Sequence, residues 1–194
     1  LIGLKCVEGI AESVKEVCVV DLADRVLSSI LNAEAAAVMQ RYLEGRGIKF
    51  IMGDCVAEFK ENVAVLQNSG QQLEFDVLVM AVGVRPNSGL LAAAGAECDR
   101  GVLVDEHCQT SLPEVWAAGD CTQGFDLVSG ERRILALLPN AYMQGDCAGA
   151  NMAGQVEEFC TGMAMNSIGF WDKHIMSAGA YEGEALVSTS ANGE

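Results

Sequence analysis

The chain is short of basic residues. Twelve Lys and Arg stand against 27 Asp and Glu among 194 residues, a formal charge of −15. That deficit excludes a basic nucleic-acid surface as the main feature. It also disfavours anionic membranes, and it suits either a basic protein partner or a solvated surface. Histidine is scarce as well. His107 and His174 lie far apart without ligand-like companions, and the eight cysteines contain no Cys-x-x-Cys pair, so no metal site is expected. No basic head followed by an apolar stretch opens the chain, and no run of about 18 apolar residues occurs, which argues against a membrane span. The cysteines sit largely in apolar runs, as Cys18 does between Val17 and Val19, and read as small buried hydrophobes. A reducing cytoplasm is the expected setting.

What is present is enough apolar material to fold: 51% hydrophobic against 20% charged residues, far from the composition of disorder. Leu4, Val7, Ile10, Ala11 and Val14 recur at helical spacing and predict an amphipathic helix over 4–15. Glu16 to Asp21 then forms a mostly β-branched run, too short for a helix, that reads as a strand covered on both faces and ending on an acid. Asn32 is placed to cap a second helix whose inward stripe is Ala35, Val38, Met39, Tyr42 and Leu43, stopped at Gly45 or Gly47. Ile48 to Met52 reads as another strand. This alternation is the rhythm of a parallel sheet with crossover helices. Three short segments follow, Val56 to Phe59, Val63 to Leu66 and Leu73 to Phe75, separated by polar turns, and they predict an antiparallel meander. Asp76 to Ala81 reads as a further buried strand leading into the Gly83 to Asn87 turn. Beyond it the pattern gives a short helix at 88–94, a strand at 101–105, and a turn, strand and glycine-acid turn from Thr110 to Asp120. A helix from Pro139 to about Ala153 follows, rich in small residues, and then strands near 168–171 and 175–178.

Two constellations carry chemistry. Leu1-Ile-Gly3-Leu, opening a helix that feeds a strand ending in Asp21, has the form of the tail of a G-x-G-x-x-G dinucleotide fingerprint. Only its last glycine is present; the first two, with the strand before them, would fall ahead of residue 1. An acid at the position of Asp21 accepts the adenine-ribose hydroxyls and repels a 2′-phosphate, favouring NAD over NADP. A plain strand-terminal turn explains the same acid. The second constellation, Thr110 to Asp120, ends in Val-Trp-Ala-Ala-Gly-Asp. There the glycine admits a ligand to the backbone and the aspartate can hydrogen-bond a polyol.

With these segments in place the chain resembles the FAD-dependent pyridine nucleotide-disulfide oxidoreductases. The likeness is to the branch of NADH oxidases, coenzyme A-disulfide reductases, rubredoxin reductases and the flavin part of NADH-dependent nitrite reductase. It is carried by residues 3–21, Asp76 to Asn87, Thr110 to Asp120, Leu138 to Gly154 and Met165 to Phe170. The resemblance implies an α/β fold in three parts. Residues 1–86 would be a Rossmann-like NAD(P)-binding domain with an antiparallel meander, lacking its first strand. Residues 87–157 would be the second segment of an FAD-binding domain, and 158–194 the start of an α+β interface domain. It further implies that Gly3, Asp21, Ala81, Val82 and Gly83 lie along NAD, that Gly119 and Asp120 meet the flavin ribityl, and that Pro139, Asn140 and Ala141 open a helix aimed at the flavin pyrimidine ring. That helix end would stabilise charge developing on a reduced flavin.

The expected activity is hydride transfer from NADH to FAD and on to an electron acceptor. No first FAD segment is present, and none of the cysteines matches the family's redox-active position; Cys121, beside the Gly-Asp pair, reads as a structural thiol. By itself the chain is therefore expected to bind NAD weakly, to hold no stoichiometric FAD, and to associate as a homo-oligomer or through exposed sheet edges. The alternative expectation is a catalytically silent scaffold or protein-interaction fragment.

Overall fold

A computed structural model describes residues 1–180. In chain order the elements are α1 (Ile2–Ile10), β1 (Val17–Asp21), α2 (Ala33–Glu44), β2 (Ile48–Met52), β3 (Val56–Lys60), β4 (Val63–Leu66), β5 (Gln72–Glu74), α3 (Gly89–Ala93), β6 (Val102–Leu103), β7 (Thr122–Phe125), β8 (Arg132–Arg133), α4 (Leu138–Met152), β9 (Met165–Phe170) and β10 (Lys173–Ala178). They gather into two compact units. Among the described residues one comprises Leu1–Val82 with Ser167–Ser177, and the other Gly83–Asn166 with residues 178–180.

In the first unit β1 and β2 are parallel, in register from Val17 opposite Ile48 to Asp21 opposite Met52. Parallel neighbours need a crossover, and α2 supplies it. Asn32 caps that helix by accepting the Ala35 amide at 3.0 Å, and Ala36, Met39 and Leu43 form its buried stripe. Leu4 and Val7 of α1, the connection residues Val26, Leu27, Ile30 and Leu31, Ile48 and Phe170 complete one core, with Val17, Val19, Phe50 and Met52 packed against it. Helix α1 is shorter than its pattern suggested, because the chain turns after Ile10 to bring Val17 into the sheet. β3, β4 and β5 form the antiparallel meander. Its base is fixed by the buried Asp54, which accepts the amides of Cys55 (2.8 Å), Asn68 (2.8 Å) and Ser69 (3.0 Å) and the Ser69 hydroxyl (2.7 Å).

Phe170, at the end of β9, is fully buried in the same core. The turn after it is tied down by polar contacts: Asp172 accepts from the Tyr42 hydroxyl and from Arg46 at 2.5 Å, and the Trp171 amide donates to Glu8 at 2.5 Å.

The run from Asp76 to Ala81 departs from expectation. It lies in no strand, and Val77, Leu78, Val79, Met80, Val82 and Val84 are exposed, Val82 at 89%. Apolar content alone does not make a strand, since backbone N–H and C=O groups need a neighbouring ladder. Among the described residues none pairs with this run.

In the second unit β6 runs parallel to β7, and β8 antiparallel to it. The strand expected within Thr110 to Asp120 is reduced to one bridge, Gln109 to Trp116. Thr110 takes over the bracing: its Oγ1 accepts the Leu112 amide at 3.1 Å and donates to the Val115 carbonyl at 3.0 Å. A local side-chain bond of this kind replaces a ladder where the chain turns tightly. Among the described residues no helix is long and apolar enough to cross a membrane.

Candidate functional site

Each unit assembles its own cluster. In the first, the chain reverses between α1 and β1, two elements of similar length: nine residues at about 1.5 Å against five at about 3.3 Å. The N-terminal turn of α1 and the C-terminal end of β1 therefore share one end of the unit, which is where ligands bind in open α/β sheets. Gly3 sits in that turn and Asp21 closes the strand. A Cβ placed on Gly3 would lie 3.3 Å from the Ala81 side chain, so the glycine permits a close approach of helix and chain, the role of the third glycine of a dinucleotide fingerprint. Asp21 is exposed and spends one oxygen on the Ala23 amide at 2.9 Å, leaving the other to solvent. No side chain caps α1, so its leading amides are open. Ala81 and Val82 are exposed beside this end, and Gly83 has φ +103°.

In the second unit Gly119 adopts φ +83°, and a Cβ there would come within 3.6 Å of Ala141 on the first turn of α4. The glycine-acid turn and the helix start are thus adjacent. Gln144 welds them. This 3% exposed side chain accepts the Gly119 amide at 2.7 Å through Oε1, which also lies 3.1 Å from the Thr122 hydroxyl. Thr122 in turn returns its amide to the Gly119 carbonyl at 2.9 Å. Asp120 is exposed, and its carboxylate has no hydrogen-bond partner among the described residues.

Helix α4 carries Pro139, which has no N–H, in its first turn and has no side-chain cap; the Ala141 amide donates to the Leu137 carbonyl at 2.9 Å, so the Leu138 and Asn140 amides head the helix. Asn140 is turned the other way. It is buried, and its Nδ2 donates to the carbonyl of Met163 at 3.0 Å and approaches that of Leu135 at 3.4 Å. Its amide side chain anchors neighbouring chain.

Gln144 is the residue sequence reading missed. Its only signal is a polar side chain one turn after Ala141 on a helix otherwise lined with small residues. Cys121 is half-buried, and its thiol lies 3.5 Å from the Ala118 carbonyl. His107 lies 2.8 Å from the Glu157 carbonyl, a bond that raises its pKa above the ordinary imidazole value. His174 lies 2.8 Å from the Ser167 hydroxyl. No group of three metal-ligating side chains occurs among the described residues.

A parallel αβ unit with a strand-terminal acid, followed by a Gly-Asp turn locked to a second helix start, is an α/β arrangement of the Rossmann-like class. Comparison with known proteins gives the family. The model for pyridine nucleotide-disulphide oxidoreductases matches residues 1–145, and the chain belongs to that family. It is 35% identical over 161 residues to an NADH oxidase of Methanocaldococcus jannaschii, covering 81% of this chain and 36% of that one. It is 30% identical over 186 residues to the epsilon subunit of an NADH-dependent phenylglyoxylate dehydrogenase of Aromatoleum evansii, covering 93% and 44%. Among solved structures, an NAD-dependent persulfide reductase of A. fulgidus superposes with a TM-score of 0.87 at 30% identity, covering 93% of this chain and 34% of that one. The chain thus spans between a third and a half of the length of these relatives.

Proposed function

We propose that this chain supplies the NADH-binding unit and the ribityl side of the flavin site of an FAD-dependent NADH oxidoreductase, in which hydride passes from NADH to FAD and electrons leave to an acceptor. The observation that carries this reading is the junction of Gly119 and Asp120 with the first turn of α4 through Gln144. An aspartate with both oxygens unclaimed, beside a glycine without a Cβ, fits a polyol, and open helix amides fit an electron-rich ring edge. FAD, when bound, supplies the redox chemistry. The chain's residues supply position and charge. Asp120 accepts a ribityl hydroxyl, while the positive end of the α4 dipole, headed by the Leu138 and Asn140 amides, lowers the free energy of negative charge near it. At the other cluster, Gly3 lets α1 meet Ala81, and Asp21 accepts ribose hydroxyls, disfavouring a 2′-phosphate.

The test separates the two cofactors in the flavin-loaded protein. Asp120→Ala is expected to weaken FAD about tenfold, the worth of one good hydrogen bond to a charged acceptor. Asp21→Ala is expected to raise the KM for NADH with FAD content unchanged. Unaltered flavin affinity in Asp120→Ala overturns the assignment.

One observation favours the second reading, a surface for association: the exposed apolar run from Val77 to Val84. In this reading a homo-oligomer or a partner chain covers the run, and sedimentation of the chain as a monomer at high concentration excludes it.

A further inference from the structure

Cys108 and Cys147 come from different elements, the turn after β6 and the middle of α4, and meet in one buried cluster of the second unit with Ala148 and Phe159. Each thiol lies near enough to bias the titration of the other. The pair is held from several sides. Cys147 Sγ lies 3.5 Å from the Glu157 carbonyl and 3.8 Å from that of Glu106. Asn151 Nδ2 lies 3.5 Å from the same sulfur and 3.3 Å from the His107 carbonyl. Cys108 sits at φ +59°, a left-handed conformation that a cysteine keeps only where surrounding contacts impose it. The other six cysteines are exposed or half-buried, and this pair has no part in the nucleotide reading above.

We propose that Cys108 and Cys147 are a latent dithiol that closes to an intramolecular disulfide and fastens the Asp105–Gln109 turn to α4. The oxidant is a small-molecule disulfide. The Cys147 thiol, the less buried of the two, gives up its proton and attacks one sulfur of the reagent, which leaves as a thiol carrying that proton. Cys108 then loses its proton and attacks the Cys147 sulfur, releasing the second reagent thiol. One S–S bond forms as one breaks, and two electrons pass from the protein to the reagent. Both side chains lie in the one buried cluster, so the bond, about 2.05 Å long, is made by an approach of the two sulfurs within it. Burial sets the pace. It pushes the Cys108 thiol up to about 12, so closure is slow and follows transient opening of the cluster.

The experiment incubates the folded 194-residue chain with glutathione disulfide, quenches with acid, alkylates free thiols in denaturant and digests without reduction. The expected result is a linked peptide pair carrying Cys108 and Cys147, absent from Cys147→Ser, together with a Tm several degrees higher that returns on reduction. If both cysteines remain alkylatable after native oxidation, or link only in chains unfolded beforehand, the proposal is overturned. A linked pair without a rise in Tm overturns the fastening. Mapping of the unmutated chain decides the matter even where Cys147→Ser fails to fold.

Discussion

At Gln144 a single carbonyl oxygen holds the backbone amide on which the Gly-Asp turn depends. Removing it leaves a part-buried N–H without that partner, which costs at most about 1–3 kcal/mol. Gln144→Ala is therefore expected to lower the urea-derived unfolding free energy by roughly that amount and to weaken flavin binding in the loaded protein; equal midpoints for both forms would contradict it. Asp54 makes the complementary case. The Asn68 amide, together with the Ser69 hydroxyl and the Ser69 and Cys55 amides, holds its carboxyl at about 2, against about 3.9 in an unfolded chain. The folded state thus prefers the ionised form. This stabilisation is complete above about pH 4 and is lost as pH falls towards 2. Asp54→Asn is expected to flatten the acid limb of the stability profile in that window, as followed by circular dichroism. Asp21, Gly3, Gly119 and Asp120, the residues of the proposed sites, stand out in the sequence because each belongs to a spaced motif. Gln144 and Asp54 were not, because their partners lie far along the chain and only folding brings them near.

Among the elements, the meander and α2 were readable from alternation, period and the Asn32 cap, all local signals. The Asp76 to Ala81 run was misread for the opposite reason: a buried strand is defined by its neighbours, and a five-residue apolar string cannot report whether a ladder partner stands beside it. The β9–β10 hairpin is anchored by Phe170 in the core of α1 and α2, and Lys5 stands 5.2 Å above its ring. Phe170→Ala leaves a cavity in that core, with an expected loss of about 3–5 kcal/mol. Hydrogen exchange is expected to show the hairpin amides losing protection before those of β1 and β2; uniform loss across all four strands argues against separate docking.

For the whole molecule, the exposed run Val77 to Val84 is the largest departure from a self-sufficient surface. Sedimentation velocity is expected to show concentration-dependent association of the chain, relieved by the double substitution Val79→Lys and Val82→Lys, because two charges on the run oppose its burial. A monomer across the whole concentration range counts against this. The fold class and the family were set by the sequence itself, since periodicity and motif spacing are local and survive in one dimension. The tertiary structure alone decided that Gly3 meets Ala81, that Gln144 locks Gly119 to α4, that Asn140 faces inward, and that two cysteines distant in the chain share one buried cluster. Each of those facts depends on which surfaces pack together, and packing is a property of the folded chain rather than of any segment within it.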